Sequence, residues 1–249
     1  HDIIFAYKMF CDSVGKEKAK KCALVMHTEV SSQHGTDLRA VKDALTDPEY
    51  VNIFFSTNKL TPEQMNILYN VADANILISS NEGWGLSLTE SMMAGTMIIP
   101  NVTGGMQDQA RFEDENGDWI NFTPDFPSNH RGTYKKHGEW AKPVFPSNIC
   151  LQGSPLTPYI FDDKVQPEDA AEAIKFVYDL GKEERDRRGL SGRDWVLSEE
   201  SNMSSKNMSK KIMQAMEKGF DNFSPRPQYE VIHVEDEPSK YITHKLTGY

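Results

Sequence analysis

The chain has 249 residues, 37 acidic against 27 basic side chains and a formal net charge of −10 at pH 7. That is long enough for a sizeable core in one large or two small domains, and too acidic for a surface that follows nucleic-acid phosphates, which needs clustered Lys and Arg. No apolar run approaches the ~18 residues of a membrane span and the amino-terminal stretch has no leader pattern, so neither a span nor a signal peptide is expected.

The chain opens at His1 directly into Ile3, Ile4, Phe5 and Phe10 at helical spacing, which reads as entry partway through a fold, with a helix to about Gly15. A strand at Cys22–His27 follows, then a helix over about Asp37–Leu45 and a strand at Tyr50–Phe55. The next helix starts at Pro62, announced by a capping box of Thr61 and Gln64 with proline at the first helical position. Asn75–Ser79 is a short apolar strand, Ser87–Ala94 a helix stopped by Gly95, and Thr96–Pro100 the next strand. Helix and strand in alternation, with apolar strands, predict an α/β fold: a Rossmann-like parallel sheet with helices on both faces. Ligands bind such sheets at the carboxyl ends of the strands. That edge carries His27 and Thr28, then Ser56, Thr57 and Asn58, then Glu82 to Leu86; His27 reads as a hydrogen-bonded structural group.

Between the third strand and its helix stands Ser80-Asn81-Glu82-Gly83-Trp84-Gly85-Leu86-Ser87-Leu88-Thr89-Glu90. Gly83 and Gly85 let main chain approach a ligand closely. The free N–H groups and dipole of the following helix turn favour an anion there. Two carboxylates frame that anion site, Glu82 on the loop and Glu90 one turn into the helix. Ionised carboxylates only accept hydrogen bonds, so they suit hydroxyl groups. Phosphate flanked by sugars describes a sugar nucleotide.

Glu82-Gly83-Trp84-Gly85-Leu86 with Glu90, a Glu-x7-Glu spacing, resembles the E-G-F-G-L…E signature of retaining GT-B glycosyltransferases of group four. Gly104-Gly105 with Asp108 resembles the G-G-x-x-E loop of that class; Trp84 replaces the usual Phe and Asp108 the usual Glu. The resemblance spans about Leu24 to Asp108 and implies the C-terminal, donor-binding half of a GT-B fold. It further implies Glu82 beside the reacting sugar, Glu90 on the ribose, Ser56 and Thr57 near the base, and Gly83, Trp84, Gly85, Leu86, Ser87, Gly104 and Gly105 around the diphosphate. The expected reaction is transfer of a sugar from a nucleoside-diphosphate sugar with retention at the anomeric carbon. Glu82 serves as a positioning and electrostatic group. Without an Asp-x-Asp motif, no metal and no cofactor beyond the nucleotide sugar are expected. The class also carries an Arg and a Lys on the strand and helix start that would precede His1, in a fold whose N-terminal half holds the acceptor. Two alternatives stay open: a nucleotide-sugar epimerase of the same architecture, and a non-catalytic sugar-nucleotide binding domain of a larger assembly. Donor and acceptor identity are not legible.

From Arg111 to Ile160, prolines, glycines and aromatics (Phe122, Phe126, Tyr134, Trp140, Phe145, Tyr159) replace periodicity, and Arg131, Lys135, Lys136, His137 and Lys142 make the stretch basic. An ordered, packed insertion is expected. Pro167–Leu180 is a helix ended by Gly181, and Lys182–Leu190 reads as an exposed helix. Asn202–Phe220 is an amphipathic helix whose Met203, Met208, Ile212 and Met216 are expected to make core contact. Tyr229–Val234 alternates like a strand. The division expected is a donor-binding domain over 1–200, including the irregular insertion 111–160, and a bracing helix and tail over 201–249. Cys11, Cys22 and Cys150 have no metal-ligand spacing and read as free thiols of a reducing, cytoplasmic compartment.

Overall fold

A computed structural model describes residues 1–31, 35–120, 134–154 and 157–225. Helix α1 (Asp2–Val14) buries Ile4, Tyr7, Phe10 and Cys11, one stripe at helical spacing, and stops at Gly15, whose φ of 83° is left-handed. A short α2 (Lys16–Ala19) leads to β1 (Leu24–His27). Helix α3 (Leu38–Leu45) is capped by the Asp37 carboxylate, which accepts from the N–H groups of Arg39 and Ala40. Strand β2 (Ile53–Ser56) pairs in parallel with β1, Leu24 opposite Ile53. It starts later than the periodicity suggests because Tyr50 and Val51 close a turn on the Asp47 carbonyl. Helix α4 (Pro62–Val71) has the full capping box, Gln64 N–H to Thr61 Oγ1 at 3.3 Å and Thr61 N–H to Gln64 Oε1 at 2.9 Å. Strand β3 (Ala74–Leu77), helix α5 (Leu86–Ala94) and strand β4 (Met97–Pro100) complete a second parallel pair, Ala74 opposite Met97.

The two strand pairs are not hydrogen-bonded to each other among the described residues. They are joined by side chains: Leu24, Met26, Ile53, Phe55, Ile76, Met97 and Ile99 share one apolar core with α1 and with α6 (Pro167–Asp179). Strand β4 is buried at all four residues, and its period of two sends Met97 and Ile99 into that core and Ile98 into a second. The second core lies under α5 and α7 (Gly181–Leu197), with Leu88, Met92, Met106, Phe112, Trp140, Trp195 and Val196. Helices thus cover both faces of an α/β layer, as the alternation predicts.

The region 111–160 is more regular than its prolines suggest. Residues 140–144 run beside β4, with Ile98 N–H to Trp140 O at 3.0 Å and Val144 N–H to Pro100 O at 2.9 Å. Strands β5 (Asn148–Ser154) and β6 (Thr157–Lys164) form an antiparallel hairpin. Of its aromatics, Trp140 stacks on Trp195 with centroids 4.9 Å apart, and Tyr134 stacks on Phe145 at 5.9 Å, while Tyr159 is exposed. Phe122, Phe126 and Arg131 lie outside the described residues.

Two expectations for the later helices need correction. Helix α7 runs to Leu197 instead of ending at Leu190, and one face of its far half is core: Gly189 and Gly192 are buried because α7 lies against Gly95 and Trp140 too closely for any Cβ. Gly181 ends α6 as expected, following the Leu180 cap with a left-handed φ of 73°, and α7 starts from it directly. Helix α8 (Ser205–Asp221) carries the expected methionine stripe, but Met208, Ile212 and Met216 are each at least half exposed; Met203 alone of the four packs on the second core. The chain divides by contacts into one unit, His1–Asn207, and another, Met208–Tyr249. The strand expected at Tyr229–Val234 lies outside the described residues. No helix among the described residues is long and apolar enough to cross a membrane, and the three cysteines are free.

Candidate functional site

The site forms where β3 ends. Gly85 takes left-handed angles (φ 81°) as the residue before α5 and offers no side chain to the first-turn N–H groups. Opposite it, Gly104–Met106 make a single 3-10 turn after β4. The two glycine turns touch through their backbones. A Cβ on Gly104 would collide with the Glu82 carbonyl, and a Cβ on Gly105 would strike the Gly83 carbonyl and come within 2.9 Å of Trp84 Cα. The Gly105 N–H points at the Glu82 carbonyl at 3.4 Å. Glycine is therefore required at both positions by contact, and at Gly104, with a φ of 49°, by conformation as well. This contact brings Glu82, Gly83, Trp84 and Gly85 together with Gly104 and Gly105.

Residues 41–124 match the family model of glycosyl transferases group 1. The matched stretch holds both glycine turns, Glu82 and Glu90. Among solved structures, the chain is similar to a glycosyltransferase from Rickettsia africae ESF-5, with a TM-score of 0.53 and 16% identity over 89% of this chain and 45% of that one. At that identity the likeness is one of fold, and this chain spans about half the length of that protein. No curated protein matches the chain.

A buried polar network holds the turn in shape. Trp84 Nε1–H donates to Thr89 Oγ1 at 2.9 Å, the Thr89 hydroxyl donates to Gln109 Oε1 at 2.8 Å, and Gln109 Nε2 returns to the carbonyls of Trp84 at 2.5 Å and Gly85 at 3.3 Å. Asn75 fixes the start of α5 from below, donating to the Ser87 carbonyl at 2.9 Å and to Ser91 Oγ at 2.8 Å. Sequence reasoning missed Thr89, Gln109 and Asn75. The available signal was a polar residue standing within an apolar run, as Asn75 does.

Over this frame Glu82 is half-buried, and among the described residues its carboxylate has no hydrogen bond or ion pair. Leu86 is exposed at the helix start and Ser87 sits beside it. Glu90 is exposed and accepts from the Tyr69 hydroxyl at 2.7 Å. Burial, and then the hydrogen bond to Glu90, raise the Tyr69 phenol well above its ordinary value, so it stays a donor. Tyr69 is a further residue the sequence did not single out.

Ser56 and Thr57 belong to the other strand pair. Ser56 Oγ meets His27 Nδ1 at 3.0 Å, which gives that histidine the structural partner expected of it. Thr57 lines an open cleft of about 570 Å³ with Glu29, Val30, Ser31, Asp37 and Arg39. No residue of the glycine turns lines that cleft, and no hydrogen bond joins Ser56 or Thr57 to them among the described residues. Nor, among the described residues, is any group of three or more His, Cys, Asp and Glu arranged to hold a metal ion.

Asp108 follows the second glycine turn, and burial pushes its carboxyl up to about 6. With the folded value above the unfolded one, this group's contribution to stability is complete below about pH 4 and is lost as pH rises through about 6. Asp108→Asn is therefore expected to melt above wild type at pH 7.5 and level with it at pH 4. A difference that did not change with pH would overturn the assignment.

Proposed function

We propose that this chain is the donor-binding half of a retaining GT-B glycosyltransferase that transfers a sugar from a nucleoside-diphosphate sugar, without a metal, to an acceptor held mainly by the companion half of the fold. The observation that carries this reading is the backbone contact between the two glycine turns. It sets the two turns side by side at the start of α5, with Glu82 on the first turn and Glu90 one helical turn along. The family match over the same residues and the partial coverage of a longer glycosyltransferase support it.

In this reading the diphosphate sits over the first turn of α5. As the bond to the anomeric carbon breaks, charge grows on the leaving phosphate and is met by the N–H groups and dipole of that turn. Glu82 receives the donor sugar's hydroxyls beside the anomeric carbon and favours its oxocarbenium character. Glu90, oriented by Tyr69, receives the ribose hydroxyls. Front-face attack assisted by the leaving phosphate gives retention.

Calorimetric titration with UDP, GDP, ADP and their sugar conjugates tests this. One nucleoside diphosphate is expected to bind selectively. Glu90→Ala should weaken it by about 10- to 100-fold, the worth of a hydrogen bond to a charged group. Glu82→Ala should leave that affinity nearly unchanged and remove the extra affinity of the sugar conjugate. Equal losses in both variants would overturn the division of roles, and no binding by folded wild type would overturn the donor site in this chain.

A further inference from the structure

The β5–β6 hairpin is fastened to both arms of the glycine site through one residue. Asp163, at the base of β6, is 6% exposed. Its N–H donates to the Ser80 carbonyl at 2.8 Å, its carbonyl accepts from Asn101 Nδ2 at 2.9 Å, and its Oδ2 accepts from the Thr103 hydroxyl at 2.7 Å. Asn101 spends its other amide hydrogen on the Ser79 carbonyl at 2.9 Å. Asn101 and Thr103 are buried too. Ser79 and Ser80 lead into the loop that carries Glu82, and Thr103 immediately precedes Gly104. Buried hydrogen bonds of this kind are stronger than exposed ones and fix geometry. The hairpin delivers the residue by alternation: Tyr159, Phe161 and Asp163 share one face of β6, and while the first two are exposed, the third reaches into the base of the site.

We propose that Asp163 is a positioning residue of the donor site. Through the Ser80 carbonyl and the Thr103 hydroxyl it sets the separation of the Glu82–Gly85 turn from the Gly104–Gly105 turn, and with it the width of the seat for a diphosphate. The naming of the ligand rests on the function proposed above; the positioning role rests on the hydrogen bonds alone. Toward the Thr103 hydroxyl, Asp163 supplies an acceptor oxygen. Asparagine, with the same shape and an acceptor oxygen, should therefore replace it.

The test compares Asp163→Ala, Asp163→Asn and Thr103→Val with wild type in the full chain, by amide hydrogen exchange and by titration with the nucleoside diphosphate that wild type selects. Asp163→Ala and Thr103→Val are expected to speed exchange selectively in segments 79–86 and 103–106 and to weaken the nucleotide about 10-fold, with Asp163→Asn restoring both to within about twofold. Exchange that rises uniformly or in the hairpin alone, or asparagine that fails to rescue, overturns the positioning role. If wild type binds no nucleoside diphosphate, the exchange pattern still decides that role, and it is the donor-site reading that fails. Thr103→Val, which removes one hydroxyl and keeps its shape, answers the question should the alanine variant not fold.

Discussion

Gly105→Ala is expected to lower the melting temperature by about 5–10 °C and to cut nucleotide affinity at least ~10-fold. The added methyl would meet the Gly83 carbonyl inside van der Waals contact, Trp84 Cε3 at 2.8 Å and Trp84 Cα at 2.9 Å. Two of these are backbone atoms, so no rotamer change relieves the clash. The Trp84–Thr89–Gln109 network resists movement of the loop as a whole. Overpacking of this kind costs about 1–3 kcal/mol, at about 2–4 °C per kcal/mol for a chain of this size. Gly83→Ala is the control: nothing lies within 4 Å of its Cβ position, so it should melt like wild type. Thermal denaturation and titration of the pair decide the matter, and equal melting temperatures for both variants would refute the contact between the turns.

Gly189→Ala should destabilise as strongly and leave binding alone. Its Cβ would overlap the Gly95 carbonyl, and Gly95 holds the left-handed conformation (φ 84°) that ends α5. Neither backbone has room to yield, so α7 must lift from α5, loosening the Trp140–Trp195 stack beside it. We expect a loss of about 3 kcal/mol, roughly 6–12 °C by calorimetry. Nucleotide affinity of the remaining folded protein should match wild type, because the glycine turns lie at the other end of α5. A variant within about 2 °C of wild type would mean that the helices do not approach as described.

What the sequence disclosed was what local chemistry specifies. Thr61, Pro62 and Gln64 announce α4 because a cap is made within one turn of chain, and Gly85 and Gly95 bracket α5 for the same reason. The meeting of Gly104–Gly105 with Glu82 was legible through resemblance only, since nothing in spacing says that two glycine turns will touch. The Trp84–Thr89–Gln109 network and the Asn101–Thr103–Asp163 cluster were invisible. Each joins residues distant in sequence whose polarity suits a surface as well as a core. The β5–β6 hairpin was hidden by Pro155 and Pro158 and by apolar residues on both its faces, which break the alternation that marks a half-buried strand. On α8, periodicity found the stripe of Met208, Ile212 and Met216, but period reports only that a face exists and is silent on whether anything covers it.

The separation of the strands into short ladders also bears on how this protein behaves in concentrated solution. Among the described residues, β1, β2 and β3 each leave one edge without a strand beside it. Open edges are templates for association, but these strands have four residues each, a length that gives an incoming chain little to pair with. The hairpin is different. With seven and eight residues, and with Ile149, Leu151, Tyr159 and Phe161 exposed, it offers both a longer ladder and an apolar surface to stack on. The net charge of −10 holds copies apart at low ionic strength, and salt screens that repulsion. Screening by salt is therefore expected to favour contact between copies, with the exposed β5–β6 hairpin as the surface best suited to it.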